Sequence, residues 1–472
     1  MLIRTKIVAT LGPATAEAGT IRRLVEAGCD VFRINFSHGS ADQHSQLLAN
    51  VRAVERELGE PVAVMADLCG PKIRVGPIHG GSVLLGEDQQ VVIQRQPIEG
   101  RSDRISTTLA ELVDEVHVGE AILLDDGKIH LEVVETRRGD EIVCRVVCGG
   151  MLASGKGVNL PHTQLKLSAL TEKDRRDVDF LAGQDFDYVA LSFVRSAEDV
   201  ETLRALLRER NCQAHIVAKV EKPQALDNID EIIAASDAIM VARGDLGVEM
   251  DLPDVPVAQK RIARLCQQAG KPCIIATQML ESMTHAPTPT RAEVSDVANA
   301  VLDHADAVML SGETSIGDYP VAATRMMNRT VDRIEAYHDQ TRPPIHVTCS
   351  PAPTTAALAG AVREVIGSDD IAAVAVFSAS GTTARMLAKT RLGVPVLAIS
   401  QHEATVRRMC LYYGITPVLA EAPQHTRDVL ALAERFGKDL GVAQAGQRIV
   451  VLSGRPIGTP GATNTLVVHT VG

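Results

Sequence analysis

Short apolar, β-branched runs alternate with helix-like stretches along most of this chain, and that alternation limits its possible folds more than any other feature. The runs are Lys6–Leu11, Val31–Ser37, Pro61–Asp67, Tyr188–Phe193, His215–Glu221, Ala238–Arg243, Cys273–Gln278 and Ala307–Glu313. Stretches with helical spacing follow most of them, among them Ala41–Leu58, Ala197–Arg210, Val257–Ala269 and Thr290–His304. Strand–helix alternation implies parallel pairing, because a parallel crossover needs about a dozen residues. Eight such units over roughly 250 residues fit a (β/α)8 barrel. A doubly wound open sheet is the competing architecture.

The alternation breaks once. From about residue 71 to 159 the pattern reads as all-β, with Ala121-Ile-Leu-Leu, a hairpin turn at Asp125-Asp-Gly-Lys, and Ile129-His-Leu-Glu-Val-Val. This segment is expected to be a small β-barrel-like lid inserted after the third strand, leaving 1–70 and 160–340 for the barrel. A proline-rich joint, Arg342-Pro-Pro-Ile and Ser350-Pro-Ala-Pro, then precedes a third, α/β domain at 345–472. Its buried strands are expected at Ile371–Phe377, Pro395–Ser400 and Arg448–Leu452. A length of 472 residues suits about three domains.

Fifty-nine acidic against forty-eight basic residues give a net charge of -11, with no basic tract, which argues against nucleic-acid and anionic-membrane partners. The longest apolar run, Ile371–Phe377, is too short to span a bilayer. The stretch Met1–Val8 carries charges and no cleavage pattern, so no signal peptide is expected. Nine cysteines without a CxxC pair point to reduced thiols and a cytoplasmic setting. Cys144 and Cys148 have no matching cluster for a zinc site.

What ends each barrel strand carries the chemistry. Strand two closes on Arg33, Asn35 and Ser37, which share one face by period two. Strand three ends at Asp67, strand five at Lys219-Val-Glu221, strand six at Arg243-Gly-Asp245, strand seven at Thr277-Gln278, and strand eight at Ser311-Gly-Glu313-Thr314. The C-terminal strand ends of such barrels form the active face. Any one of these is unremarkable as a solvated strand end, but six together converge on a site. Glu221 and Asp245 offer a hard divalent cation oxygen ligands, with water completing the shell. Lys219 sets an ammonium beside it, suited to an enolate or a transferring phosphoryl group. Arg33 adds a permanent planar cation for phosphate. The amides of Gly244 and Asp245 open a helix and are expected to hold a carboxylate. Gly150-Met-Leu-Ala-Ser-Gly-Lys156 imitates a phosphate-binding loop, yet Gly157 replaces the needed hydroxyl and Pro161 follows where a helix should begin. Lys156 remains as a lone cation from the lid. His38, His44 and Arg74 are weaker candidates, a histidine near a helix start being commonly a cap.

These residues resemble the pyruvate kinase family over nearly the full chain. The matching motifs include Thr5-Lys-Ile-Val-Ala-Thr-Leu-Gly-Pro13, Arg33-Ile-Asn-Phe-Ser-His-Gly39, Lys156-Gly-Val-Asn-Leu-Pro161 and Lys219-Val-Glu221. Met240-Val-Ala-Arg-Gly-Asp-Leu-Gly-Val-Glu249, Ala276-Thr-Gln-Met-Leu-Glu-Ser-Met283, Pro289-Thr-Arg-Ala-Glu-Val-Ser-Asp-Val-Ala-Asn299 and Met309-Leu-Ser-Gly-Glu-Thr314 extend the match. The resemblance implies a cytoplasmic, glycolytic homotetramer that transfers a phosphoryl group from phosphoenolpyruvate to ADP, giving pyruvate and ATP. It implies that Glu221 and Asp245 bind Mg2+ or Mn2+, and that Lys219, Arg33 and Thr277 are catalytic. Arg33, Gly244, Asp245 and Thr277 would bind substrate, and Asn35, His38, Arg74 and Lys156 the nucleotide. Many members hold potassium near residues matching Asn35, Ser37 and Asp67. Here Leu68 supplies no oxygen and Lys72 stands where those members carry a carboxylate, so K+ is expected not to be required. The third domain resembles the family's regulatory domain. Ser378, Ser380, Gly381, Thr382 and Thr383 open a helix and are expected to hold the phosphate of a small effector, against the plain alternative of helix capping. Two rival functions are a magnesium-dependent lyase or aldolase and a non-catalytic metabolite sensor. Neither accounts for the lid together with the full set of site residues.

Overall fold

The computed structural model describes residues 3–137, 139–161, 163, 168–341, 353–457, 459 and 461–472, with the backbone alone at 338–341. The expected proline-rich joint, residues 342–353, lies outside the described residues except for Pro353, which opens the helix Pro353–Ser368.

Eight strands make the barrel: β1 Lys6–Leu11, β2 Val31–Asn35, β3 Ala63–Asp67, β4 Tyr188–Leu191, β5 His215–Val220, β6 Ala238–Ala242, β7 Cys273–Ala276 and β8 Ala307–Leu310. They close in the order β1-β8-β7-β6-β5-β4-β3-β2, every neighbouring pair parallel. Closure removes the open-sheet alternative. Period two sorts the strand residues. Ile7 and Ala9 face the helices, while Val8, Val31, Met65 and Met240 fill the interior. The helices start where their caps dictate. Ala41–Leu58 follows Ser40, whose hydroxyl accepts from the Gln43 amide, and it ends at Gly59 in the left-handed region. Ser196 and Thr290 cap the helices Ala197–Glu209 and Arg291–Leu302 in the same way.

Most strands stop short of the polar residues expected to end them. β5 ends one residue before Glu221, β7 before Thr277 and β8 before Ser311. At β7 the chain leaves the ladder as Thr277 and Gln278 take positive φ, and just past β4 Phe193 does the same, a geometry no strand accommodates.

The insertion holds a six-stranded sheet in the order Val158–Asn159, Ala121–Leu124, Ile129–Arg137, Glu141–Cys148, Gln90–Gln94, Arg104–Ser106. A two-stranded sheet pairs Ser82–Leu85 with Gly150–Ala153. The expected turn is present, with Leu124 opposite Ile129 and Asp125, Asp126 and Gly127 all at positive φ. The insertion is not purely β, since Leu112–Glu115 forms one helical turn that buries Leu112 and Val113 in its core.

The C-terminal sheet has five strands: β9 Ile371–Phe377, β10 Val396–Ser400, β11 Ile415–Leu419, β12 Arg448–Gly454 and β13 Thr463–Thr470, ordered β11-β10-β9-β12-β13. β13 is antiparallel. Both strands absent from the sequence reading are edges, β11 interrupted by Pro417 and β13 half-exposed. The barrel interior runs on into this domain's core as one apolar cluster, and the Tyr188 hydroxyl donates to the Arg408 carbonyl at 2.6 Å.

Candidate active site

Parallel register sets the site. Asn35 lies opposite Asp67, and Lys219 opposite Met240, so the C-terminal ends of β2, β3, β5 and β6 share one rim. A chain of ion pairs crosses it. Arg33 Nε donates to Asp67 Oδ2 at 2.6 Å and Nη1 to Thr10 Oγ1 at 3.0 Å. Lys219 Nζ sits 3.2 Å from Asp67 Oδ1, 2.8 Å from Glu221 Oε1 and 2.8 Å from Ser192 Oγ. Glu221 Oε2 accepts the Phe193 amide at 2.8 Å.

All three central groups are buried, and their electrostatics follow from that. Burial pushes the Asp67 carboxyl up, but Lys219 and Arg33 outweigh it and hold it below its ordinary value. Burial pulls Lys219 down, and Asp67 then Glu221 overcome this, so its ammonium is held well above the usual lysine range. Glu221 is pushed up, first by burial and further by the Asp245 charge, against the pull of Lys219. Two carboxylates that repel each other at a dry rim are the donor set a hard cation relieves. Among the described residues no three acidic, histidine or cysteine side chains gather as a metal cage. The pair Glu221–Asp245 offers hard carboxylate oxygens of the kind Mg2+ takes while leaving most of its shell to water and substrate oxygens.

Across the rim, Gly244 packs closely against the Thr277 side chain. A Cβ there would stand 3.3 Å from Thr277 Oγ1. The approach serves a hydrogen bond, the Gly244 amide donating to Thr277 Oγ1 at 2.6 Å. This corrects one expectation: the Gly244 amide is engaged by Thr277 rather than open to a carboxylate. Asp245 lines a cavity of about 580 Å3 between rim and lid, together with Lys72, Phe193, Lys222, Asn159 and Glu249. Lid and barrel meet at Glu249, whose Oε1 accepts from Asn159 Nδ2 at 2.8 Å and Lys222 Nζ at 2.6 Å.

The remaining candidates divide. His38 is exposed, and burial, then Arg74, Lys72 and Arg33, lower its pKa, so these cations gather about one imidazole. Asn35 Oδ1 accepts the Ser37 amide at 3.0 Å. Arg74 Nη1 donates to the Gly155 carbonyl at 3.0 Å. Lys72 is exposed, and its ammonium forms no hydrogen bond or ion pair among the described residues, so it does not touch Asn35, Ser37 or Asp67 here. Lys156 is not a lone cation, since its Nζ lies 2.8 Å from Asp125 Oδ1 on the hairpin turn. His44 is buried against Phe36 with Nε2 at 2.8 Å from the His38 carbonyl, a packing role. In the C-terminal domain, Ser378, Ser380 and Thr383 line a small hollow with Gly454, Gly461 and Thr463. There Thr383 Oγ1 is 2.6 Å from Thr463 Oγ1, and Ser380 Oγ is 3.1 Å from Thr382 Oγ1, so most hydroxyls are already partnered. Gly381 caps the helix with φ +78° and no side-chain bond.

Sequence reasoning named Arg243 as a strand end without giving it a role, and it missed Thr10, Ser192 and the Glu249–Lys222–Asn159 cluster. Ser192 closes β4 as the others close theirs, and that pattern was the available signal.

Residues 2–324 match the family description "Pyruvate kinase, barrel domain", and 356–469 match "Pyruvate kinase, alpha/beta domain". The pyruvate kinase of Mycobacterium tuberculosis is 42% identical over 472 residues, 100% of this chain and 99% of that one. Those of Geobacillus stearothermophilus and Corynebacterium glutamicum are each 41% identical over 99% of this chain, covering 80% and 98% of their own lengths. The chain belongs to the pyruvate kinase family. It is accordingly a phosphotransferase, and the rim just described lies within the matched barrel region of the pyruvate kinase fold. No helix among the described residues is long and apolar enough to cross a membrane.

Proposed function

We propose that this chain transfers the phosphoryl group of phosphoenolpyruvate to ADP in glycolysis, giving pyruvate and ATP. The single observation that carries the reading is the fused set of charges Arg33–Asp67–Lys219–Glu221 beside Asp245, at a rim under a lid. In the forward direction the phosphorus–enol oxygen bond breaks, a terminal ADP oxygen bonds to phosphorus, and the enolate left behind takes a proton at carbon. Lys219 Nζ faces the charge that develops on the phosphoryl and enolate oxygens, and its raised pKa keeps it cationic at neutral pH. Arg33, pinned by Asp67 and Thr10, presents its guanidinium to phosphate. Thr277 and Asp245 orient the pyruvate moiety, the Gly244 amide holding the Thr277 hydroxyl in place. Glu221 and Asp245 would hold Mg2+ or Mn2+, which when bound supplies electrophilic stabilisation of the same oxygens. Asn35, His38, Arg74 and Lys156 serve the nucleotide, with the Asp125 contact of Lys156 exchanged for phosphate.

Potassium is not required in this reading. Asn35, Ser37 and Asp67 keep a cation pocket, and Lys72, mobile on its stem and near His38, swings in as the permanent charge when substrate binds. The hollow at Ser378, Ser380, Gly381, Thr382 and Thr383 takes the phosphate of an allosteric effector. The protein acts as a cytoplasmic homotetramer. Free cysteines throughout the described residues support a reducing compartment.

Pyruvate formation from phosphoenolpyruvate, ADP and Mg2+, run with and without K+, tests the core of this. Equal, fast rates are expected. Turnover only with K+ removes the Lys72 role and leaves the reaction standing, whereas no turnover in either buffer, with sugar phosphates and AMP added, removes the reaction itself.

A further inference from the structure

Two consecutive non-glycine residues after β7, Thr277 and Gln278, have φ of +70° and +54°. Left-handed backbone at a β-branched residue costs on the order of 1–3 kcal/mol and survives only where its surroundings over-determine it. Arg243 supplies that determination. Its Nη2 donates to the Thr277 carbonyl at 2.7 Å, approaches the Gln278 carbonyl at 3.5 Å and lies 2.8 Å from Met279 Sδ. Its Nη1 is anchored on Asp296 Oδ1 at 2.7 Å and Gln259 Oε1 at 3.3 Å, so the fork cannot swing away. The next residue, Gly244, donates its amide to Thr277 Oγ1 at 2.6 Å. Thr277 is thus held from both ends by adjacent residues of β6's exit, its carbonyl by a side chain and its hydroxyl by a backbone amide. The following residue is Asp245, which fits the metal.

The guanidinium is nearly buried, with a side-chain exposure of 10%, and both of its terminal nitrogens are already bonded, to Asp296, Gln259 and the Thr277 carbonyl. We infer that Arg243 is a positioning residue: its planar fork fixes the Thr277 turn so that the Thr277 hydroxyl meets the pyruvate moiety in register with Asp245. This rests on the reading in which Thr277 orients that moiety. A lysine keeps the charge opposite Asp296 but cannot bridge two carbonyls and an acid at once.

The test is a double-mutant cycle on the full-length protein, with Arg243→Lys, Thr277→Ala and the pair, read as kcat and KM for phosphoenolpyruvate and as thermal melting. Displacing a reacting partner by less than an ångström costs roughly 10- to 100-fold. Arg243→Lys is expected to lose about that much in kcat, with KM within about threefold and melting within a few degrees. In the Thr277→Ala background the same change is expected to cost less than about threefold, because groups that act through one another are strongly non-additive. Full, multiplicative losses in both backgrounds overturn the positioning role alone, as does wild-type kcat in Arg243→Lys. Wild-type kcat in Thr277→Ala overturns the Thr277 reading and this inference with it. Arg243→Gln, which keeps one amide donor, runs the same cycle if the lysine variant does not fold.

Discussion

Lys219 is bonded to two buried carboxylates at once, and its ammonium pulls both carboxyl pKa values down against burial, with Arg33 sharing that task at Asp67. Lys219→Met should therefore act twice. Turnover falls by roughly 100- to 1000-fold or more, the scale of removing one preorganised charge stabiliser. Stability falls too, since stripping one partner from a buried pair costs about 3–5 kcal/mol, offset where Glu221 takes up a proton. Steady-state rates and a melting curve separate the two, and near wild-type turnover refutes the assigned role. A second substitution addresses the monovalent cation. Under the proposed K+ independence, Lys72→Glu, which installs the carboxylate that many family members carry, should turn a K+-indifferent rate into a K+-dependent one. A rate still indifferent to K+ shows that Lys72 supplies no essential charge. Lys219, Glu221, Asp245 and Thr277 were legible because each interrupts or ends an apolar run. Thr10 was not, and Arg243 was legible as a strand end but not as a clamp, because both roles lie in partners contributed by other strands.

At the scale of elements, a buried carboxylate of the barrel ties it to the lid, beside a second hydrogen bond from Thr163 to Glu120 at 2.7 Å. Glu249 is almost wholly buried, its Oε1 shared by Asn159 of the lid and Lys222 just past β5, while Oε2 has no hydrogen-bond partner among the described residues. Asn159→Ala removes only the lid's half and should cost about 1 kcal/mol of lid attachment. Glu249→Ala also strands Lys222, whose side chain is 14% exposed, and should cost more, on the order of 3 kcal/mol. Amide exchange across 71–159 reads the difference. Equal exchange in the two variants and the parent means that the contact does not hold the lid. The helices and inner strands were legible from period and caps, down to both ends of Ala41–Leu58. Strand ends were less so, because leaving the ladder at Thr277 depends on a backbone geometry that Arg243 and Gly244 impose from elsewhere. Edge strands β11 and β13 escaped for a different reason: half-exposed strands carry no continuous apolar run.

The whole molecule is held together beneath the barrel, where the C-terminal domain meets the strand starts. Arg407 bonds Glu55 at 2.9 Å, Lys389 bonds the buried Asp306 at 2.5 Å, and Arg408 Nη1 faces His215 Nε2 at 3.2 Å. This seam was invisible in the sequence, since each contact joins residues far apart in the chain and none belongs to a motif. It makes stability pH-dependent in a definable way. Burial lowers the His215 pKa to about 4, with Asp237 opposing and Arg408, Arg385 and Arg204 reinforcing, so the ring stays neutral and accepts from Arg408. An unfolded histidine titrates near 6.5. Between those values the unfolded chain binds the proton and the folded one does not, so the stability His215 confers is complete above about 6.5 and drains away as pH falls through about 4. Asp187 has the opposite sign. Its pKa is raised to about 6, mainly by burial against the pull of Arg52, so its contribution grows as pH falls from 6 toward the ordinary carboxyl range. The two offset each other in the parent's absolute curve. A difference measurement isolates the first: His215→Gln keeps an oxygen acceptor for Arg408 and has no proton to gain. The parent should be the more stable of the two at pH 7.5, and that margin should shrink by a few kcal/mol by about pH 4.5. A margin constant from pH 7.5 to 4.5 would mean that His215 charges freely in the folded protein and that the seam tolerates a second cation beside Arg408.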